Sequence, residues 1–497
     1  MGRTIGFGRS AGNRIVTVAI ALTTGISGGW CLSCQPPAPD GVVIITLDTT
    51  RADRLSVYGF MDVEMPHLER LAREGVVFDQ ATSVAPLTLP AHCSLFTGLF
   101  PPGHGVRDNG DQPLSAAHVT LAESLSARGF RTAAFVGSVV LNADRGLQQG
   151  FDHYGGVRET GQTGRHPGPQ RQRPADEVVT EAISWIETID DSPFFVWAHL
   201  YDPHRPYDPP EPFRSRHTDP YVAELAFADS QIGRLLDALD RRQLLERTIV
   251  VVAADHGESL GDHGERDHGI FIYESVVRVP LIIRAPNVPA RRVADIVRLV
   301  DIMPTVLDLL RVPAPLLDGS SLVALLQGQP APVELDAYAE SQYPLRFGWS
   351  PLRALRAGRY KLVEAPRPEL YDLERDPFEE RNIHEDRPEV ARALAGRLSA
   401  FGREASSLHG EDRTDPIPTD DLRQRLASLG YVGTGTSHPV PHRGDRPDPK
   451  DCMGVLSDAS ITRQCEQIGA GSWPIPIGQL FIKGPSRLDR RKDGGQK

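Results

Sequence analysis

Three short runs, GVVIITL (41–47), FFVWAHL (194–200) and TIVVVAA (248–254), consist almost wholly of β-branched, aromatic and small apolar residues. Continuous apolar strands of this kind have no face to offer to water. They belong inside a parallel sheet covered by helices. Each run ends on an acid: Asp48, then Asp202-Pro203-His204, then Asp255-His256. In open α/β sheets ligands bind beyond the carboxyl ends of the strands. One strand-end Asp usually caps a helix or starts a turn, but three strands delivering Asp, two of them with His, point to one convergent site. Asp and His together suit a divalent ion of the Mg, Mn, Ca or Zn type.

The remaining pattern fits that frame. MPHLERLAREG (65–75) reads as a helix with Pro66 in its first turn, Leu68 and Leu71 on one face and Gly75 as its stop, and VVF follows as a strand. Further helices are expected near 119–128, 177–188, 220–244 and 301–310, with strands at 130–136 and 280–286. The composition changes after about residue 335. ALRAGRYKLVEA (354–365) and PELYDL (368–373) suggest a small antiparallel sheet, followed by a helix near 387–404. The expected fold is therefore α/β, a mostly parallel sheet sandwiched by helices, over 41–335, with a C-terminal antiparallel subdomain over 336–430. Residues 434–497, rich in Gly, Pro, His and Arg, are expected to lack regular structure.

Net charge narrows the partners. Across 497 residues, 54 basic side chains face 65 acidic ones, a formal −11. That balance argues against a protein that grips a nucleic-acid backbone. The five cysteines (31, 34, 93, 452 and 465) form no zinc-type cluster. Residues 1–14 carry three Arg and no acid, and an apolar run and the small residues Ser-Gly-Gly follow. This composition predicts a signal peptide over 1–34. Leu32-Ser33-Cys34 resembles the end of a bacterial lipoprotein signal, which implies attachment to the cell envelope through lipidated Cys34 and a periplasmic or envelope location.

The blocks LDTTRADRLSVYG (47–59), TLPAHCSLFTG (88–98) and ADHGESLGDHG (254–264) resemble the signature blocks of the sulfatase family within the alkaline-phosphatase superfamily. DPHRPYDPP (202–210), RVPLIIRAP (278–286), VDIMPTVLDLL (300–310) and ELYDLERDP (369–377) extend the likeness in order over roughly 41–430. The resemblance implies an alkaline-phosphatase-like fold and hydrolysis of sulfate or phosphate esters. The family's nucleophile position falls on Thr88 and its Arg on His92, while Cys93 is out of register. Threonine is not a precursor of formylglycine, so none is expected. A Thr hydroxyl is too weak an acid to attack unaided, and coordination to a metal is its expected activator.

By the same resemblance Asp48, Thr88, Asp255 and His256 hold one divalent ion. The second acid usual after the first is Thr49 here. His204 corresponds to the family's active-site His, and His268 stands where the family places a substrate-binding Lys. Asn109 matches an amide that bonds the transferred group in the phosphodiesterase branch, and His92 is a further substrate-binding candidate. Asp202, His204 and His268 form a conceivable second-ion set, but their spacing departs from that branch, so one ion is expected. The expected substrate is a small-molecule or glycan sulfate or phosphate ester. The alternatives are a phosphodiesterase or phosphonate monoester hydrolase without sulfatase activity, and a non-catalytic binding protein on the same fold. Oligomeric state is left open.

Overall fold

The structure, a computed structural model, describes residues 38–157, 172–409 and 446–453. The expected signal segment and most of the expected tail lie outside the described residues. Eight strands make the main sheet: β1 (Gly41–Leu47), β2 (Val76–Thr82), β3 (Arg131–Val136), β4 (His153–Gly155), β5 (Phe194–Leu200), β6 (Thr248–Ala254), β7 (Arg278–Arg284) and β8 (Arg291–Arg298). Their order is β4-β3-β5-β1-β6-β7-β2-β8, and β7 alone runs against its neighbours. The three strands expected to be central, β5, β1 and β6, are adjacent, and every residue in them is buried.

Two groups of helices flank the sheet. Helix α1 (Pro66–Glu74) packs with Pro220–Arg241, which in turn packs on Ala175–Ile186. Helix α2 (Thr88–Thr97) packs with Ile302–Leu309. Local signals account for the helix ends. Thr120 closes a capping box with Glu123 at the start of Leu121–Ser126. Gly98 ends α2 at φ +66°, a left-handed position that suits Gly, and its N–H returns to the Ser94 carbonyl at 2.9 Å. Cys93 is fully buried in α2, as its packing role predicts.

A second, antiparallel sheet has the order β12-β11-β10-β9: β9 (Ala337–Ser341), β10 (Leu352–Ala357), β11 (Tyr360–Glu364) and β12 (Glu369–Asp372). The helix Pro388–His409 covers it, packing Leu394 and Leu398 with Leu355, Leu362 and Leu370. Buried Lys361 of β11 reaches Glu274 (3.0 Å) and Glu379 (2.9 Å), and so ties this sheet to the segment that precedes β7. Residues 446–453, expected to lack structure, instead include the short helix Pro449–Met453. Pro447 accepts the Ser350 N–H at 3.0 Å and Cys452 is buried. Apolar contact and paired backbone groups hold this piece despite its polar surroundings in sequence.

Candidate active site

Strand β1 delivers Asp48 into a turn that the chain must force. Thr49 adopts φ +49°, unusual for a β-branched residue. The Tyr221 hydroxyl holds this turn: it donates to the Thr49 carbonyl (2.9 Å) and accepts the Arg51 N–H (3.0 Å). Buried Arg51 then crosses to the loop after β6. Its guanidinium donates to the Glu258 and Ser259 carbonyls, both at 3.1 Å, and to the carboxylates of Asp53 and Asp262. Arg51 therefore clasps together the two loops that carry Asp48 and Asp255 rather than facing a substrate.

Thr88 opens α2. Its hydroxyl makes no capping bond; its Oγ1 lies 3.3 Å from His256 Nε2. Beneath it, Trp197 donates to Thr46 Oγ1 (2.9 Å), which bonds His92 Nε2 (3.0 Å), and His92 Nδ1–H donates to the Thr88 carbonyl (2.7 Å). Both His92 nitrogens are thus engaged by the protein, and the ring is fully buried. His92 supports the first turn of the helix and has no nitrogen left for substrate, a correction to the expectation above.

Asp48, Asp255 and His256 converge as the strand ends predict. Their ligand atoms lie within 4.8 Å of one another, fully buried. His256 Nε2 is 3.7 Å from Asp48 Oδ1 and 3.6 Å from Asp255 Oδ2. The Gly257 carbonyl accepts the His256 Nδ1–H at 2.9 Å, which turns the Nε2 lone pair toward the carboxylates. Burial, then the charges of Asp255 and Glu258, push the Asp48 carboxyl well above its usual range. Burial likewise raises Asp255 and lowers His256 well below the usual imidazole range. Neither Asp48 oxygen has a hydrogen-bond partner, nor does Asp255 Oδ2. Buried carboxylate oxygens without donors are costly, and a divalent ion among Asp48, Asp255, His256 and Thr88 Oγ1 relieves that cost. The donor set fits such an ion.

Two further histidines flank this cluster. The His268 ring centroid stands 4.4 Å from that of His256 and 5.1 Å from that of His204. His268 Nδ1 meets the buried Glu258 carboxylate at 3.1 Å, and Tyr207 donates to the other Glu258 oxygen at 3.0 Å. Burial lowers the His268 pKa, but Glu258 outweighs it and the net direction is upward. His204 goes the other way: burial, then the nearby His268, hold it well below the usual range. Its Nδ1–H donates to the Arg205 carbonyl at 2.7 Å, beside the Tyr201 hydroxyl. Asn109 accepts the Leu89 N–H at 2.8 Å, one residue after Thr88 in the chain, and its Nδ2 is buried without a partner.

Asp202 does not join the cluster. It accepts the Ala175 N–H at 2.7 Å and caps the helix Ala175–Ile186. The second-ion set of Asp202, His204 and His268 is therefore not assembled. Sequence reasoning missed two residues here. Glu258 carries only the signal of an acid two positions after His256. His199, inside the apolar run of β5, carries none beyond its polarity.

Comparison with known proteins identifies the family and the fold. A sulfatase family model covers residues 41–312, more than half of the chain, and one for the C-terminal part of N-sulphoglucosamine sulphohydrolase covers 261–403. An ulvan-active sulfatase from Formosa agariphila is 27% identical over 400 residues, 70% of this chain and 78% of that protein. A choline-sulfatase from Rhizobium meliloti is 32% identical over 278 residues, 54% of this chain and 52% of that protein. Among solved structures, the phosphonate monoester hydrolase of Agrobacterium radiobacter shares the fold with a TM-score of 0.64 at 24% identity, covering 74% of this chain and 96% of that one. With the family model spanning the main sheet and its strand-end acids, the chain belongs to the sulfatase family of ester-bond hydrolases.

Proposed function

We propose that this sulfatase-family hydrolase is exported, metal-dependent, and cleaves sulfate or phosphate esters through Thr88. The observation that carries this reading is Thr88 Oγ1 at 3.3 Å from His256 Nε2, beside carboxylate oxygens of Asp48 and Asp255 that have no donor. Asp48, Asp255, His256 and Thr88 would hold one divalent ion. Bound there, such an ion lowers the pKa of the Thr88 hydroxyl and offsets charge on the transferred group. Thr88 Oγ1 releases its hydroxyl proton to water and attacks the sulfur or phosphorus, a Thr ester forms, and the bond to the leaving oxygen breaks. His268, favoured in its charged form by Glu258, binds an anionic ester oxygen and protonates the leaving oxygen. His204, held neutral with its proton on Nδ1, takes the proton of the water that then releases Thr88. Asn109 Nδ2 donates to an oxygen of the transferred group.

Relatives named for ulvan, N-acetylglucosamine-6-O-sulfate and choline sulfate favour a glycan or small-molecule ester. Export rests on the basic, apolar and small-residue order of residues 1–34. The test is a kinetic panel of aryl sulfate, phosphate monoester, phosphodiester and phosphonate monoester, each with Ca, Mg, Mn and Zn. Thr88→Ala is expected to lower kcat on the preferred substrate at least ~1,000-fold while the fold persists. Unchanged turnover by Thr88→Ala would overturn the mechanism.

A further inference from the structure

We infer that the connection between β9 and β10 of the small sheet positions the hydrogen-bond donors of the main site, with Arg346 holding Asn109 in place through Asp108. The inference rests on the donor role given to Asn109 above. The Asn109 side chain makes one bond to the protein, Oδ1 accepting the Leu89 N–H at 2.8 Å, and its buried Nδ2 makes none. A single bond lets the amide swing about that contact, so the aim of Nδ2 depends on where the loop holds the backbone. A donor displaced by ~1 Å can cost ~100-fold in rate. On one side Arg145, buried in the turn Ala143–Arg145, grips this backbone. It donates to the carbonyls of Asn109 (3.1 Å) and Asp111 (2.6 Å).

The other grip comes from the small sheet. Arg346 lies in the helical turn Tyr343–Phe347, between β9 and β10. Its Nε donates to Asp108 Oδ2 at 3.0 Å and its Nη2 to Asp108 Oδ1, which also accepts the Gly110 N–H at 2.8 Å. The contact therefore closes on the residues either side of Asn109. A Cβ on Gly110 would stand 2.0 Å from Arg346 Nη2, so the guanidinium lies directly on the loop. Exposed ion pairs contribute little, but Asp108 is buried, and a two-pronged contact fixes angle as well as distance. The same connection reaches the neighbour of His268. Ser341 at the end of β9 donates to the Gly269 carbonyl, and a Cβ on Gly269 would stand 3.1 Å from the Tyr343 ring. Arg346 in turn lies over that ring, 5.8 Å from its centroid. One short segment thus braces the neighbours of both groups assigned to the ester oxygens, and it ties their spacing to the small sheet.

A double-mutant comparison tests the coupling. Arg346→Gln and Arg346→Lys are made in the full chain, alone and together with Asn109→Ala, and kcat and KM are measured on the preferred substrate of the panel. Asn109→Ala is expected to lower kcat ~100-fold, as loss of a transition-state donor does. Arg346→Gln should lower kcat ~10-fold or more with KM little changed. Arg346→Lys, which keeps the charge but not the two-pronged contact, should recover part of that loss. In the Asn109→Ala background Arg346→Gln should cost nothing further, because the group it positions is gone. Native kcat in Arg346→Gln overturns the inference. So does a loss that persists in full without Asn109, which is also the result if the substitution merely damages the fold. Should Arg346→Gln not fold, Arg346→Lys carries the same comparison. Native kcat in Asn109→Ala overturns the donor role of Asn109 itself, and this inference with it.

Discussion

Replacing Asp48 by Asn is expected to change stability in opposite directions with and without metal. Without an ion, Asp48 is a fully buried carboxylate with neither oxygen bonded, close to Asp255 and Glu258. An unpaired buried charge costs about 3–5 kcal/mol. The Asn amide fills the same space without charge and leaves a neutral group unmet, about 1–3 kcal/mol. Asp48→Asn should therefore stabilise the metal-free protein at pH 7 by ~2 kcal/mol. With free metal at a thousandfold excess over Kd, the native protein gains about 4 kcal/mol from one bound ion, and the variant forfeits most of it. The assay is urea unfolding of both proteins at pH 7, with chelator and with saturating Mn or Zn. A variant less stable than the native protein in chelator would refute the reading of Asp48 as a destabilising, metal-dependent carboxylate. So would a native protein that metal does not stabilise.

Three other outcomes follow from the same geometry. Tyr221→Phe removes the hydroxyl that holds Thr49 and Arg51 and should cost about 1–3 kcal/mol in urea unfolding, leaving one buried N–H without a partner. Burial pushes the Glu265 carboxyl from its ordinary 4.5 up to about 7, against the bonds it accepts from Ile270, Phe271 and Ser259. Its raised folded-state pKa contributes stability that is full below about pH 4.5 and is lost as pH rises through about 7. The span is ~3 kcal/mol, and Glu265→Gln should flatten that slope in unfolding titrations. Cys93, fully buried with its thiol pushed up by burial, should resist alkylation in the native protein and react once urea unfolds it.

Much of the fold was legible where one physical cause dominates. The runs of β1, β5 and β6 match the sequence boundaries to the residue, because strands buried on both faces are apolar along nearly their whole length. Strand β8, RRVADIVR, was missed: it lies at the sheet edge with several exposed side chains and reads as a polar loop. The direction of β7 was also hidden, since an apolar run does not encode orientation. At the site, Asp48, Thr88, Asp255 and His256 were legible because strand ends and a nucleophile block place them. Asp202 shows the limit of that rule, as its bond to Ala175 belongs to a helix start 27 residues earlier. His199 was hidden for the opposite reason, a polar side chain within an apolar run.

The common register of β5, β1 and β6 makes the sheet a ruler for the proposed ion. Gly41 pairs with Phe194 and Thr248, and Leu47 with Leu200 and Ala254, so the three strands finish level. Asp48 and Asp255 are the next residues on neighbouring strands, and their backbones are set apart by one strand spacing, about 4.8 Å. Any ion held between them would meet a gap set by a repeat of the peptide backbone, which side-chain substitution does not alter. Evolution or engineering can exchange Thr88, His256 or His268 and change the chemistry. Shifting the gap between the two acids would require one strand to slip by a residue, which would exchange the side chains on its two buried faces and misfit both helix layers.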